Sequence, residues 1–333
     1  MPETKRVGSL WIAALILAFC LPAAAQWTWT PQTGRWVNVK RLPKETPELQ
    51  IEYARSLMLE GKYERALRET SKFKQFYADS PLADQNQFLR GEIYLKQGKY
   101  TEAAKEFQAL VTSYPSTSLY EEATRKQYEI GDTLYAEGLK KIERRWAFFK
   151  KRPLKRAAEV YGMVVSNQPF MPQAAEAQYK IGLCRMARRD YLEATYEYKR
   201  VLEDYPDSPW VDDAMHDLAL AYYRMALPPA YDQTPSRMAV ETVADFEERY
   251  PNDERLGELK DKQKTMQERI AQQRLMTAQY YEKRHRFQAA RIYYELVAND
   301  FADTQAAEKA KQWLQENPNV GIHPLVAQQK AGS

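Results

Sequence analysis

Gly98-Lys99-Tyr100-Thr101-Glu102-Ala103 and, fourteen residues past its tyrosine, Tyr114-Pro115-Ser116 form a pair of landmarks that the chain repeats. The first returns as Gly61-Lys62-Tyr63 with Ala66, as Arg189-Asp190-Tyr191 with Ala194, and as His285-Arg286-Phe287 with Ala290. The second returns as Tyr77-Ala78-Asp79-Ser80-Pro81, Tyr205-Pro206-Asp207-Ser208-Pro209 and Phe301-Ala302-Asp303-Thr304, each fourteen residues behind its partner. The same offset finds two degenerate copies: Leu154 and Ala157 with Gln168-Pro169, and Ser236 and Ala239 with Tyr250-Pro251. Six units therefore start at 63, 100, 154, 191, 236 and 287, and the tightest steps are 37 residues.

The landmarks describe a helix–turn–helix unit. Glycine takes the left-handed position that ends a first helix. The aromatic residue packs between helices, and the alanine sits where two helices approach closely. Tyr-Pro ends the second helix, because proline disfavours helix at the residue before it. Ser80-Pro81 and Ser208-Pro209 read as N-cap and first-turn proline of the next helix. One such hairpin cannot bury its apolar face alone, so the units must stack. The expected fold is all-α, a helical-hairpin solenoid of about six units, and the period resembles that of tetratricopeptide (TPR) repeats. The units are read as 48–80, 81–116, 117–171, 172–208, 209–252 and 253–316. The long steps carry extra chain near Leu139–Pro153, in the loop Leu227–Pro235, and in the last unit, where Arg255 to Arg284 reads as one long helix. Residues 26–47, with Trp27, Trp29 and Trp36, read as an extended segment whose tryptophans either pack on the first hairpin or anchor a partner, and 317–333 as a flexible tail.

Composition sets the class. The 333 residues hold 49 Lys and Arg against 45 Asp and Glu, a net charge of +4, which gives no reason to expect nucleic acid as a partner. Residues 1–25 read as a secretory signal. Lys5 and Arg6 precede the apolar run Val7–Leu21, and Pro22-Ala23-Ala24-Ala25 offers a cleavage site. Cleavage before Gln26 removes Glu3, Lys5 and Arg6, so the charge falls from +4 to +3. Leu17-Ala18-Phe19-Cys20 resembles a lipobox, but bulky Phe19 stands where a small residue belongs, so lipidation of Cys20 is disfavoured. Cys184 is then the lone cysteine, read as a small buried thiol, and no internal disulfide can form.

No catalytic constellation is present: no P-loop, no G-x-S-x-G and no dinucleotide glycine motif. Asp212 and His216 stand one helical turn apart, which is too few ligands for a metal, so surface pairing is expected. No cofactor is expected, and the protein reads as a binding protein, not an enzyme. One segment is strongly basic. Lys140, Lys141, Arg144, Arg145, Lys150, Lys151 and Arg152 surround Trp146, Phe148 and Phe149. Two readings stand: an extended hairpin with solvated lysines, or an arm for an acidic partner or anionic lipid.

The C-terminal half resembles the BamD family of outer-membrane β-barrel assembly factors. The resemblance rests on Asp232-Gln233-Thr234, on Ala244-Asp245-Phe246-Glu247-Glu248-Arg249-Tyr250-Pro251, on a long helix finishing Ala278-Gln279-Tyr280-Tyr281-Glu282-Lys283-Arg284, and on Phe287-Gln288-Ala289-Ala290 with Asn299-Asp300-Phe301. It implies a periplasmic location at the outer membrane, a groove for unfolded barrel substrates, and docking on a POTRA-bearing assembly protein. By that match Arg284 is a partner contact, with Tyr280 and Tyr281 packing beside it. The family's usual five repeats and clean lipobox are not matched here, and His285 stands where the family often has glycine. The first two units fit equally well a soluble periplasmic TPR adaptor of the Tol–Pal-associated type, which is the alternative reading.

Overall fold

The computed structural model describes residues 27–30, 35–38, 42–143 and 152–320. The signal segment, Cys20, Arg144, Arg145, Trp146, Lys150, Lys151 and residues 321–333 of the tail lie outside these. Two short antiparallel strands come first, β1 (Trp27–Thr30) and β2 (Arg35–Asn38), with Trp29 opposite Trp36. Trp29 is half-exposed. Everything that follows among the described residues is helix and turn.

The chain divides into two compact units, Met1–Ala123 and Thr124–Ser333. In the first, α1 (Pro47–Leu59) packs on α2 (Tyr63–Phe76), α2 on α3 (Ala83–Lys96), and α3 on α4 (Tyr100–Ser113). α5 (Tyr120–Glu143) crosses the boundary. In the second, α6 (Arg152–Asn167), α7 (Pro172–Arg188), α8 (Tyr191–Asp204), α9 (Val211–Met225) and α10 (Thr234–Arg249) each pack on the next. The series ends with α11 (Leu256–Lys283), α12 (Phe287–Asp300) and α13 (Gln305–Glu316).

The landmarks become helix ends. α2, α4, α8 and α12 each start on the landmark aromatic and stop one residue before the second landmark, whose aromatic is the C-cap. The predicted long helix is α11, flanked by Arg255 and Arg284 as its caps. Ala66, Ala103, Ala194 and Ala290 are wholly buried. One reading is corrected. Ser80-Pro81 and Ser208-Pro209 do not cap the next helix, which begins two residues after each proline. The serine hydroxyls instead accept from Leu82 N and Trp210 N, which closes the turn ahead of the helix.

The turn position ahead of each landmark aromatic is left-handed in all four clear copies: Gly61 (φ 75°), Gly98 (φ 71°), Arg189 (φ 66°) and His285 (φ 57°). Arginine and histidine bear a Cβ strain there that glycine avoids. Arg189→Gly is therefore expected to raise the stability of its hairpin by roughly 0.5–1 kcal/mol, the strain relieved less the entropy cost of glycine. A urea titration followed by tryptophan fluorescence checks it.

Candidate partner-binding surfaces

Three of the four clear hairpins carry the same lock. Gln50 Nε2 donates to Glu69 O and Glu69 Oε2, both at 2.9 Å. Gln87 does the same to Glu106 (3.0 and 2.6 Å), and Gln178 to Glu197 (3.2 and 2.8 Å). All three glutamines are buried, and each bond spans nineteen residues. Sequence reading passed over this device, although the glutamine stands eleven residues before the left-handed turn in each case. The locks hold each pair of helices in register and leave the outward side chains to function.

In the second unit a charged network fills the space between α5, α6 and α7. Lys180 Nζ donates to Tyr128 OH (2.6 Å) and Asp132 Oδ1 (2.7 Å), and pairs with Glu176 at 3.1 Å. Tyr161 OH donates to the same Asp132 oxygen. Burial pulls the Lys180 ammonium down, but its bonds to Asp132, Tyr128 and Glu176 outweigh that and hold it above the ordinary lysine range. Burial pushes the neighbouring Cys184 thiol up to about 12, so it is an inert, buried thiol as the sequence suggested. His216 Nδ1 lies 2.9 Å from Asp217, and Asp212 pairs with Arg255, so the two do not share a ligand. Among the described residues no group of three His, Cys, Asp or Glu could hold a metal ion.

Arg284 caps α11 and is exposed. Its guanidinium lies 4.4 Å from the centre of the Tyr280 ring, which is itself 50% exposed. Tyr281 meets the Tyr280 ring edge-on at 5.5 Å and stacks on Tyr293 at 5.6 Å. Glu282, between them and Arg284, accepts from Tyr294 OH (2.6 Å) and Trp313 Nε1 (2.7 Å), while Tyr294 and Trp313 stack at 4.2 Å. The result is an exposed tyrosine–arginine plate on a fixed base. Tyr281 packs into the helix layer, but Tyr280 presents its ring where packing was expected.

Of the basic stretch, Lys140 and Lys141 fall in the last turn of α5, with Lys141 3.9 Å from Glu137, and Arg152 opens α6, exposed. The other members of that stretch lie outside the described residues. A further cleft, not anticipated from sequence, lies between the turn from α6 to α7 and the turn from α8 to α9, lined by Phe170, Met171, Tyr205 and Trp210. Its only sequence signal is a phenylalanine directly after Gln168-Pro169, a turn that ordinarily takes polar residues. No described helix is long and apolar enough to cross a membrane.

Stacked hairpins closed by a left-handed turn and a buried alanine define a scaffold of the tetratricopeptide class, and residues 54–117 match a tetratricopeptide repeat model. Residues 148–330, a little over half of the chain, match the YfiO model, described as an outer membrane lipoprotein. The chain belongs to this BamD-type family. A thermophilic TPR protein from Thermus thermophilus is similar at 17% identity, over 66% of this chain and 98% of its own, with a TM-score of 0.31. A tetratricopeptide repeat protein from Parabacteroides merdae is similar at 15% identity, over 85% and 96%, with a TM-score of 0.30. Scores of that size carry no argument about function. No curated protein matches the chain.

Proposed function

We propose that this protein is a non-catalytic scaffold in outer-membrane β-barrel assembly, held at the periplasmic face of the outer membrane. In this reading the end of α11 docks on a POTRA-bearing assembly protein, and the N-terminal hairpins receive unfolded barrel substrates. The observation that carries it is the Tyr280–Arg284 plate. Tyrosine and arginine are the residues that dominate binding energy at interfaces, and a pre-fixed base lowers the entropy cost of using them. Membership of an outer-membrane lipoprotein family supports the envelope location. It also makes Cys20 the rival to Gln26 as the mature N-terminus, which an intact-mass measurement of the exported protein decides.

The test is affinity capture of the tagged native protein from solubilised envelope, with mass spectrometry of what it retains. A POTRA-bearing barrel protein is expected, and Arg284→Glu should weaken its capture about tenfold or more, the loss expected of a hot-spot arginine. Arg284 is exposed, and among the described residues its side chain makes no ion pair and lies over the exposed Tyr280 ring, so the variant should melt as the parent does. Recovery of Tol–Pal or peptidoglycan-linked proteins alone would replace this reading with the periplasmic adaptor.

A further inference from the structure

Within each unit, neighbouring hairpins leave a notch between their turns. In the first unit the notch has a volume of about 290 Å³, and Thr117 Oγ1 donates across it to Asp84 Oδ2 at 2.7 Å. Asp84 stands three residues before the lock glutamine Gln87. The same position before Gln178 is Ala175, which can bond nothing across its notch. One 37-residue step further on it is Asp212, which Arg255 joins to Asp253. The unbridged notch is the Phe170–Trp210 cleft, and at about 600 Å³ it holds twice the space.

The turn beside that cleft departs from the repeat. Two residues past the second landmark stand Asp79, Ser116, Asp207, Asn252 and Asp303, all polar, but here Phe170. One residue later, Ser80, Thr117, Ser208 and Asp253 accept from the backbone N–H two residues on, which closes their turns. Met171 has no oxygen with which to do so. Phe170 is 97% exposed and Met171 43%, so burial does not offset the missing bond. Two turn-closing residues have been exchanged for two exposed apolar ones, and the exchange serves something outside the hairpin.

The lining fixes the chemistry of what enters. Phe170 and Met171 face a Trp210 ring held by stacking on Tyr179 at 5.5 Å. Three acids, Glu176, Asp204 and Asp207, line the cleft, and no lysine, arginine or histidine does. Glu176 is tied to Lys180 and Asp204 to Arg200, whereas Asp207 is exposed and makes no ion pair among the described residues. A free carboxylate and a fixed tryptophan ring both favour a cation, and the apolar rim favours an aromatic beside it. The volume suits a few side chains of an extended chain, not a folded domain.

We propose that the Phe170–Trp210 cleft is a peptide-binding site, which takes a short extended segment of another polypeptide with an arginine or lysine next to an aromatic residue. It lies on turns, away from the Tyr280–Arg284 plate, and does not depend on the role proposed for that plate. The probe is a short capped peptide, serine–arginine–phenylalanine–lysine–serine, with a fluorine on its phenylalanine ring. The fluorine NMR line should broaden when the full exported protein is added, and excess unlabelled peptide should sharpen it again. Phe170→Ser with Met171→Thr, which restores the Ser116-Thr117 pair of another turn, should weaken binding about tenfold, as for loss of an aromatic anchor. The melting temperature of that variant should equal or exceed the parent's, because the new threonine can close the turn. Asp207→Lys should also weaken binding, and a peptide with glutamate in place of arginine and lysine should not bind. A parent that leaves the line sharp overturns the proposal. So does broadening that survives the Phe170→Ser, Met171→Thr exchange, or that the acidic peptide shows equally. A parent that ignores the peptide but dimerises, and loses the dimer in that variant, would overturn it too and assign the cleft to a second copy.

Discussion

Gly182→Ala is expected to destabilise the second unit by roughly 1–3 kcal/mol, the usual cost of overpacking a core. In the interior of a helix the same change normally stabilises, by about 1 kcal/mol, because alanine is the better helix former. The sign reverses here because a Cβ on Gly182 would lie 2.3 Å from Cε1 of Tyr198. That ring is wholly buried, so it has no open side to move toward. Gly91 stands in the same relation to Phe107 (2.5 Å) and Gly131 to Tyr161 (2.6 Å). The control is Gly162→Ala on α6, where nothing lies within 4 Å of the new Cβ. It should gain about 0.5–1 kcal/mol. Urea titrations of both variants give the comparison, and equal signs would show that the glycines do not mark close approach. Because hairpins in a stack unfold with some independence, hydrogen exchange should place the Gly182 loss in α7 and α8.

Arg255→Ala should cost the same unit about 1–3 kcal/mol, below the cost of breaking a fully buried pair because the cluster is partly open to water. Arg255 binds Asp253 through Nε (2.9 Å) and Nη2 (2.7 Å), Asp212 through Nη2 (2.9 Å), and Asp213 through Nη1. It thereby joins the start of α9 to the start of α11, and its removal leaves three carboxylates facing one another. The pH response should differ in sign between parent and variant. The bond from Arg255 holds the Asp253 carboxyl down at about 2, below its unfolded value. That contribution is complete above the unfolded pKa and is lost as the pH falls from about 5 toward 2. In the variant, protonation relieves repulsion, so its deficit relative to the parent should shrink over that same range. Denaturant midpoints at a series of pH values test this.

The fold was legible because the same physical demand is written in the chain several times. A left-handed turn, a close approach and a helix stop recur at fixed offsets, so Arg189 and His285 could be placed at the turn even though neither is glycine. The degenerate copies were legible for the same reason, though α6 and α10 start two residues ahead of their landmarks. Ser80 and Ser208 misled because serine before proline satisfies a turn as well as it satisfies a helix end. The Gln–Glu locks were missed because a buried glutamine and a surface glutamine look alike in a sequence. Arg284 came from family resemblance, and nothing in the local pattern set it apart from other helical arginines. The Phe170 cleft depends on two turns that are distant in the chain and meet only when α6 to α9 are stacked.

The Gln–Glu locks close within one hairpin, over nineteen residues, and not from one hairpin to the next. Mechanically, that makes each lock a parallel clasp on a short loop. A chain pulled from its ends in an optical trap should then give way in small increments, each releasing one hairpin of about 34–37 residues. An envelope scaffold with that property yields under load by extending, and it can recover by closing one hairpin at a time against its neighbour.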